Sequence, residues 1–165
     1  MIRWFPLAAL LVVSPALANG DSGVTCTASN TLINFGRYDV LADTPLDGAG
    51  SFTVSCSQSG GRSVVVVYSA KLAPAPPRRL QPLTGSDRIT YDVYVDAART
   101  LPWGDGTGGT FVISGAVTVP ARSSVSDAPK FFYGRISPGG QDVAAALFYG
   151  QILTVTVSCQ PSPPC

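Results

Sequence analysis

Apolar and polar residues alternate at every second position along much of this chain, and that pattern limits the fold more than any other feature of the sequence. In Gly50–Cys56, GSFTVSC, residues Phe52, Val54 and Cys56 share one face, and Ser51, Thr53 and Ser55 share the other. In Arg88–Asp96, RITYDVYVD, residues Ile89, Tyr91, Val93 and Val95 alternate with Thr90, Asp92, Tyr94 and Asp96. In Gln151–Cys159, QILTVTVSC, residues Leu153, Val155 and Val157 alternate with Ile152, Thr154 and Thr156. A period of two puts one face in a core and the other toward solvent. Val64–Ser69, VVVVYS, is a continuous apolar run and is expected as a strand buried on both faces. Thr110–Val119 and Lys130–Ile136 complete the set. Strands at such intervals, with turns between them, predict an all-β chain folded as an antiparallel sandwich. Only Asp142–Leu147, DVAAAL, suits a short helix, or equally a helical turn within a loop. Pro74–Leu83, PAPPRRLQPL, is expected as a long crossover between two sheets, because proline lacks the ladder donor, and its pair Arg78-Arg79 is expected to be solvated.

The residues that are missing narrow the chemistry. There is no His and no Glu, and Lys occurs only at Lys71 and Lys130, against 17 Gly and 14 Pro. Without His there is no Ser-His-Asp or Cys-His catalysis, and the commonest zinc ligand is gone. The four Cys show no C-x-x-C spacing. The chain is therefore read as a protein without a catalytic site, metal or cofactor.

The first eighteen residues, MIRWFPLAALLVVSPALA, have the form of a secretory signal: Arg3, the apolar run Leu7–Val13, and the small-x-small site Ala16-Leu17-Ala18. The run is shorter than the roughly 20 residues a membrane span needs. Residues 1–18 are thus expected to be a cleaved leader, residues 19–159 one domain, and residues 160–165 a Pro-rich tail. Arg3 is one of 11 basic residues against 10 acidic ones, so the exported part is balanced, which argues against a nucleic-acid or anionic-membrane binder. An exported chain with Cys26, Cys56, Cys159 and Cys165 is expected to hold disulfides. Three pairings are possible; the preferred one joins Cys26 to Cys56, with Cys159–Cys165 closing the tail CQPSPPC.

Trp103–Thr110, WGDGTGGT, contains G-x-G-x-x-G at Gly104, Gly106 and Gly109. A dinucleotide fingerprint needs a helix after it, whose N-terminus meets the pyrophosphate. Here a strand follows, so the glycines are expected to supply positive-φ turn positions instead.

With its neighbours, the same stretch carries a family resemblance. DVYVDAARTLPWGDGTGGT, centred on Trp103, Gly104, Asp105 and Gly106, resembles the central signature of the spore coat U domain family, which includes the subunits of archaic chaperone–usher pili. NFGRYD, Asn34–Asp39, resembles its F-G-x-Y-D through Phe35, Gly36 and Tyr38. FTVSCS, Phe52–Ser57, resembles the strand that carries its second Cys. FYGRISPGGQDV, Phe132–Val143, resembles its Y-G-R-I-P-x-x-Q through Tyr133, Gly134, Arg135 and Gln141. FYGQILTVTV, Phe148–Val157, resembles its ending. The likeness runs from about Cys26 to Cys159. It implies an immunoglobulin-like sandwich lacking its last strand, and a disulfide between the family's two early cysteines, which are Cys26 and Cys56 here. It also implies a groove filled first by a periplasmic chaperone and then by a neighbouring subunit delivered through an outer-membrane usher. The protein would pass through the periplasm to a surface fimbrium that serves attachment and biofilm formation.

Polymerising subunits carry a donor segment before the first Cys, with apolar residues alternating over roughly ten positions. Asn19–Thr25, NGDSGVT, has a single large apolar residue, Val24, and the tail is polar. The chain is therefore expected to accept a strand and not to give one. The alternative is a stand-alone secreted coat or carbohydrate-binding protein of the same fold. Trp103 is read as a core residue in preference to a sugar-stacking one. Asp92 and Asp96 lie two positions apart on one strand face, roughly 6–7 Å, a spacing open to acid–base work; solvent-facing charge is the preferred reading. Asp39 and Asp105 are expected to bond nearby turn amides.

Overall fold

A computed structural model of the chain describes residues 5–14, 23–29, 31–82, 85–138, 141, 143 and 149–162. Among these residues the secondary structure is all β. The first strands are β1 (Phe5–Ser14), β2 (Val24–Ala28), β3 (Thr31–Tyr38), β4 (Leu46–Phe52) and β5 (Val54–Gln58). Then come β6 (Val64–Ala73), β7 (Arg78–Pro82), β8 (Ile89–Tyr94) and β9 (Ile113–Val119). The last are β10 (Ser124–Ser126), β11 (Lys130–Ile136), β12 (Tyr149–Gly150) and β13 (Ile152–Ser162). One sheet runs β12-β7-β8-β11-β4-β3-β1-β13-β6-β9, and a smaller one runs β10-β5-β2. Strand β12 also pairs with β1, so the large sheet turns back on itself and encloses the core of a sandwich.

The alternating segments form the strands expected of them. On β8, Ile89, Tyr91 and Val93 are buried; on β13, Leu153, Val155 and Val157 are. The alternation across Phe52, Val54 and Cys56 holds, but the chain changes sheets within it. At Thr53 the ladder breaks: the Thr53 amide donates to Ser29 Oγ (3.0 Å), and the Ser29 amide donates to the Thr53 carbonyl (2.9 Å). The segment thus contributes β4 to one sheet and β5 to the other while keeping one apolar face inward.

Three sequence expectations need comment. First, Val64–Val67 is not buried on both faces: Val66 is fully buried, while Val65 and Val67 are 40% and 46% exposed. A run of β-branched residues suits a strand whether or not its second face is covered. Second, the proline-rich crossover ends at Pro77, and Arg78–Pro82 is a strand that pairs with β8 and with β12. Arg78 is not solvated but wholly buried. Third, of Asp142–Leu147 only Val143 is among the described residues, and it belongs to no helix. At the chain's other end, β13 continues three residues past Cys159, with Ser162 opposite Val65.

The two layers are clasped at Trp103. Its ring is fully buried, stacked on Phe52 at 5.4 Å and 10°, and tilted at 43° to Phe132, 5.3 Å away. Its Nε1–H donates to the Ala70 carbonyl on β6 (3.0 Å), and the Leu72 amide donates to the Gly104 carbonyl (3.0 Å). Trp103 therefore packs in the core, and no face of its ring is open for stacking on a sugar.

Candidate functional site

Strand β1 occupies the position that defines this site. It lies between β3 and β13, antiparallel to the first and parallel to the second. Ala9 is opposite Ile33, Leu11 is opposite Leu153, and Val13 is opposite Val155. The three partners are fully buried. One register position earlier, Leu10 lies between Leu32 and Ile152, which are 53% and 62% exposed. The bordering strands thus present an apolar row to the core and a second, exposed row on the outside. The β1–β3 ladder shifts register between Leu7 and Ala8, beside Gly36 at φ 73°. The amide of Gly36 is held by Asn34 Oδ1 (2.8 Å). The strand in this slot comes from the segment read as the leader. A single apolar run can serve both as a leader and as a strand, so the sequence offered no separate signal for β1.

The disulfide Cys26–Cys56 is formed, with Cα atoms 4.1 Å apart in directly opposed positions of β2 and β5. Cys159 is buried and has no disulfide partner among the described residues, and burial pushes its thiol up from its ordinary pKa. Its expected partner Cys165 lies outside the described residues.

The residues that carry the family resemblance fix the shape of the sandwich. Phe35 is buried edge-on to Tyr91 at 5.5 Å. Gly134 admits Phe35 and Ile33 from β3, since an added Cβ would overlap both side chains. Arg135 holds Asp47 with two hydrogen bonds, Nε to Oδ1 at 2.7 Å and Nη2 to Oδ2 at 2.9 Å. These bonds, with the nearby Arg99, hold the Asp47 carboxyl below the usual range. Arg99 also lies over the Tyr133 ring at 5.7 Å. Tyr38 Oη accepts from the Gln141 amide (3.0 Å), and the Gln141 side chain closes two bonds onto the Thr90 backbone.

Gly104–Thr110 is a self-satisfied turn. Gly106, Gly108 and Gly109 have positive φ, and Gly104 instead abuts the Thr110 side chain. Asp105 Oδ1 accepts from the Thr107 amide (2.9 Å) and hydroxyl (2.7 Å), which lowers the Asp105 pKa. The Gly106 amide donates to Thr110 Oγ1. A phosphate-binding loop turns its amides outward; here Asp105 and Thr110 engage two of them. Asp39 does the same for the Leu41 amide (2.9 Å).

Asp92 and Asp96 do not act as a pair. Asp96 accepts from the Thr100 and Leu101 amides and closes the turn after β8. Asp92 is joined to Arg78, Nη1 to Oδ1 at 2.6 Å, while Nη2 of Arg78 donates to the Trp103 carbonyl (2.6 Å). Burial pulls the Arg78 guanidinium below its ordinary pKa, and Asp92 opposes that shift. The sequence did not mark Arg78, because its partner lies fourteen residues away across a turn.

Compared with known proteins, the chain matches the family model for the Spore Coat Protein U domain over residues 9–156. It is also 28% identical over 157 residues to Protein U of Myxococcus xanthus, covering 87% of this chain and 80% of that protein.

Proposed function

Because the chain belongs to the spore coat protein U domain family, a family of structural coat proteins and not of enzymes, we propose that it is a surface subunit assembled by strand exchange. In this reading residues 1–18 are a leader removed on export. A periplasmic chaperone then fills the slot between β3 and β13, an outer-membrane usher receives the complex, and a neighbouring subunit's strand takes the chaperone's place. The assembled fibre serves attachment and biofilm formation. The short polar segment Asn19–Thr25 leaves this subunit able to accept a strand but not to give one, so it belongs at one end of a fibre.

One observation carries the reading. The sheet takes up a ten-residue strand between β3 and β13, and that strand comes from the segment export would remove. Its removal opens two ladder edges above Ile33, Leu153 and Val155, an aggregation hazard unless another chain caps it.

The test is to express residues 19–165 in the periplasm, alone and with the cognate chaperone. The expected result is a chain recovered in quantity only as a chaperone complex. A soluble, cooperatively folding monomer unaffected by the chaperone would mean a self-sufficient sandwich, and the stand-alone coat or carbohydrate-binding reading would replace this one.

A further inference from the structure

We propose that the cleft on the outer side of β8 binds a neutral, hydroxyl-rich ligand of the saccharide class. The cleft has a volume of about 420 Å³, within the range of small-ligand sites. Thr90, Asp92 and Tyr94 of β8 form one side, and Ser137 and Gln141, after β11, form the other. None of these residues pairs with β1, so the site is independent of strand exchange.

Asp92 is the centre of the site. Its Oδ1 is fixed by Arg78 Nη1 (2.6 Å) and by the Val93 amide (2.9 Å). Its Oδ2 has no protein partner among the described residues, and the side chain is 25% exposed. The result is an acceptor held in one orientation, its charge balanced by a buried guanidinium. Orienting groups of this kind, few and rigid, are what small-ligand sites use.

The chemistry of the walls selects the ligand. Among the described residues lining the cleft, Asp92 is the only charged one, and it is already paired with Arg78. The described lining holds no Lys or Arg for a phosphate or carboxylate and no second carboxylate for a cation. A peptide strand has no ladder to join here. Arg79 of β7 faces Thr90 from one side, and the Gln141 side chain takes the Thr90 amide and carbonyl (2.5 and 2.8 Å). Hydroxyl groups that donate to Asp92 and accept from Thr90, Ser137 and Tyr94 fit what remains. The half-buried ring of Tyr94 offers an apolar surface to the C–H face of a pyranose.

The experiment is saturation-transfer NMR on the full chain with methyl glycosides of glucose, galactose, mannose and N-acetylglucosamine. A sialoside and a neutral tripeptide serve as counter-probes. Tyr94→Ala and Thr90→Val are the site variants, and Phe131→Ala, at a position 60% exposed on β11, is the control. Trp103 fluorescence reports whether each variant is folded. Transfer to at least one neutral glycoside is expected. Tyr94→Ala should weaken it roughly tenfold, about the worth of one aromatic contact; Thr90→Val should weaken it measurably, and Phe131→Ala should leave it unchanged. No transfer to any neutral glycoside would overturn the proposal. So would transfer that survives both site variants, or transfer to the sialoside or tripeptide alone.

Discussion

Replacing Asp92 by Ala strands a buried charge. The guanidinium of Arg78 is wholly inaccessible, and its ion pair with Asp92, at 2.6 Å, is the only one in which it takes part among the described residues. Removing one partner of a buried pair costs about 3–5 kcal/mol, because the remaining charge keeps its desolvation penalty without its compensation. Asp92 is a quarter exposed, so water can partly fill the space left, and the lower end of that range, about 3 kcal/mol, is expected. For a chain of this length that is a fall in Tm of roughly 6–12 °C. The complementary change, Arg78→Met, leaves Asp92 at a rim where water can reach it. It orphans mainly the Trp103 carbonyl, at about 1–3 kcal/mol. The discriminating quantity is therefore the asymmetry between the two variants. Urea unfolding followed by tryptophan fluorescence measures both, since Trp103 sits beside the pair. If Asp92→Ala cost less than Arg78→Met, or less than about 1 kcal/mol, the buried-charge argument would be wrong.

Three further outcomes are expected. Replacing Cys26 and Cys56 by Ser opens a loop with a sequence separation of 30 and should cost about 3–4 kcal/mol in the chain-entropy model; a loss below about 1 kcal/mol by urea titration would count against it. Gly134→Ala should destabilise by about 1–3 kcal/mol through overpacking against Ile33 and Phe35, with partial recovery in the double variant with Ile33→Val, read by thermal unfolding. Asp47 and Asp127 both have folded pKa values below the ordinary 3.8, Asp47 through its Arg135 hydrogen bond and Asp127 through its Tyr68 hydrogen bond. Their contribution is thus fully present above that ordinary value and is lost as pH falls through it toward the lowered folded values. With no histidine in the chain, stability should be nearly flat between about pH 5.5 and 8. Acid titration of Asp47→Asn should show a shallower acid limb, and an unchanged limb would remove Asp47 from the account.

Period-two patterning made β5, β8 and β13 legible, because each has one wet face and one dry face, and the sequence records the difference directly. The turn at Gly104–Thr110 was legible for a similar local reason: positive φ and an Asp two residues before an amide are short-range requirements. What escaped were features set by distant partners. Whether Val65 and Val67 are covered depends on what lies over the sheet, not on the run Val64–Val67. Arg78 is buried because Asp92 and the Trp103 carbonyl wait for it, and a pair of arginines after three prolines carries no trace of either. Asp92 and Asp96 share a strand-face pattern that left acid–base work open beside the preferred reading of solvent-facing charge; the structure binds one to Arg78 and uses the other to cap a turn, a difference set by partners that spacing does not record. Of the candidate site, the resemblance pointed to a missing strand, but it could not show that the chain's own first residues fit the opening.

That fit bears on how an emptied slot would behave. Strand β1 is not an edge strand: it joins β3 to β13, and with β12 it helps close the large sheet. If export removes it, the sheet loses a joint rather than a border, and the layers stay linked by the clasp at Trp103, by the short β12–β7 pairing and by Gln58 of β5, whose side chain donates to the Val119 and Pro120 carbonyls. The clasp is well anchored, with a fully buried ring, a hydrogen bond to Ala70, stacking on Phe52 and a tilted contact with Phe132. The emptied subunit would therefore keep its far half, built on β4, β8, β11 and the disulfide pair β2–β5. It would loosen along β3 and β13, the two strands that β1 separates. Under the proposed function, a donor strand arriving there would bind a locally open and globally ordered acceptor, and the ordering it must supply would be confined to two ladders. That division of stability would let one strand be exchanged for another without unfolding the rest of the chain.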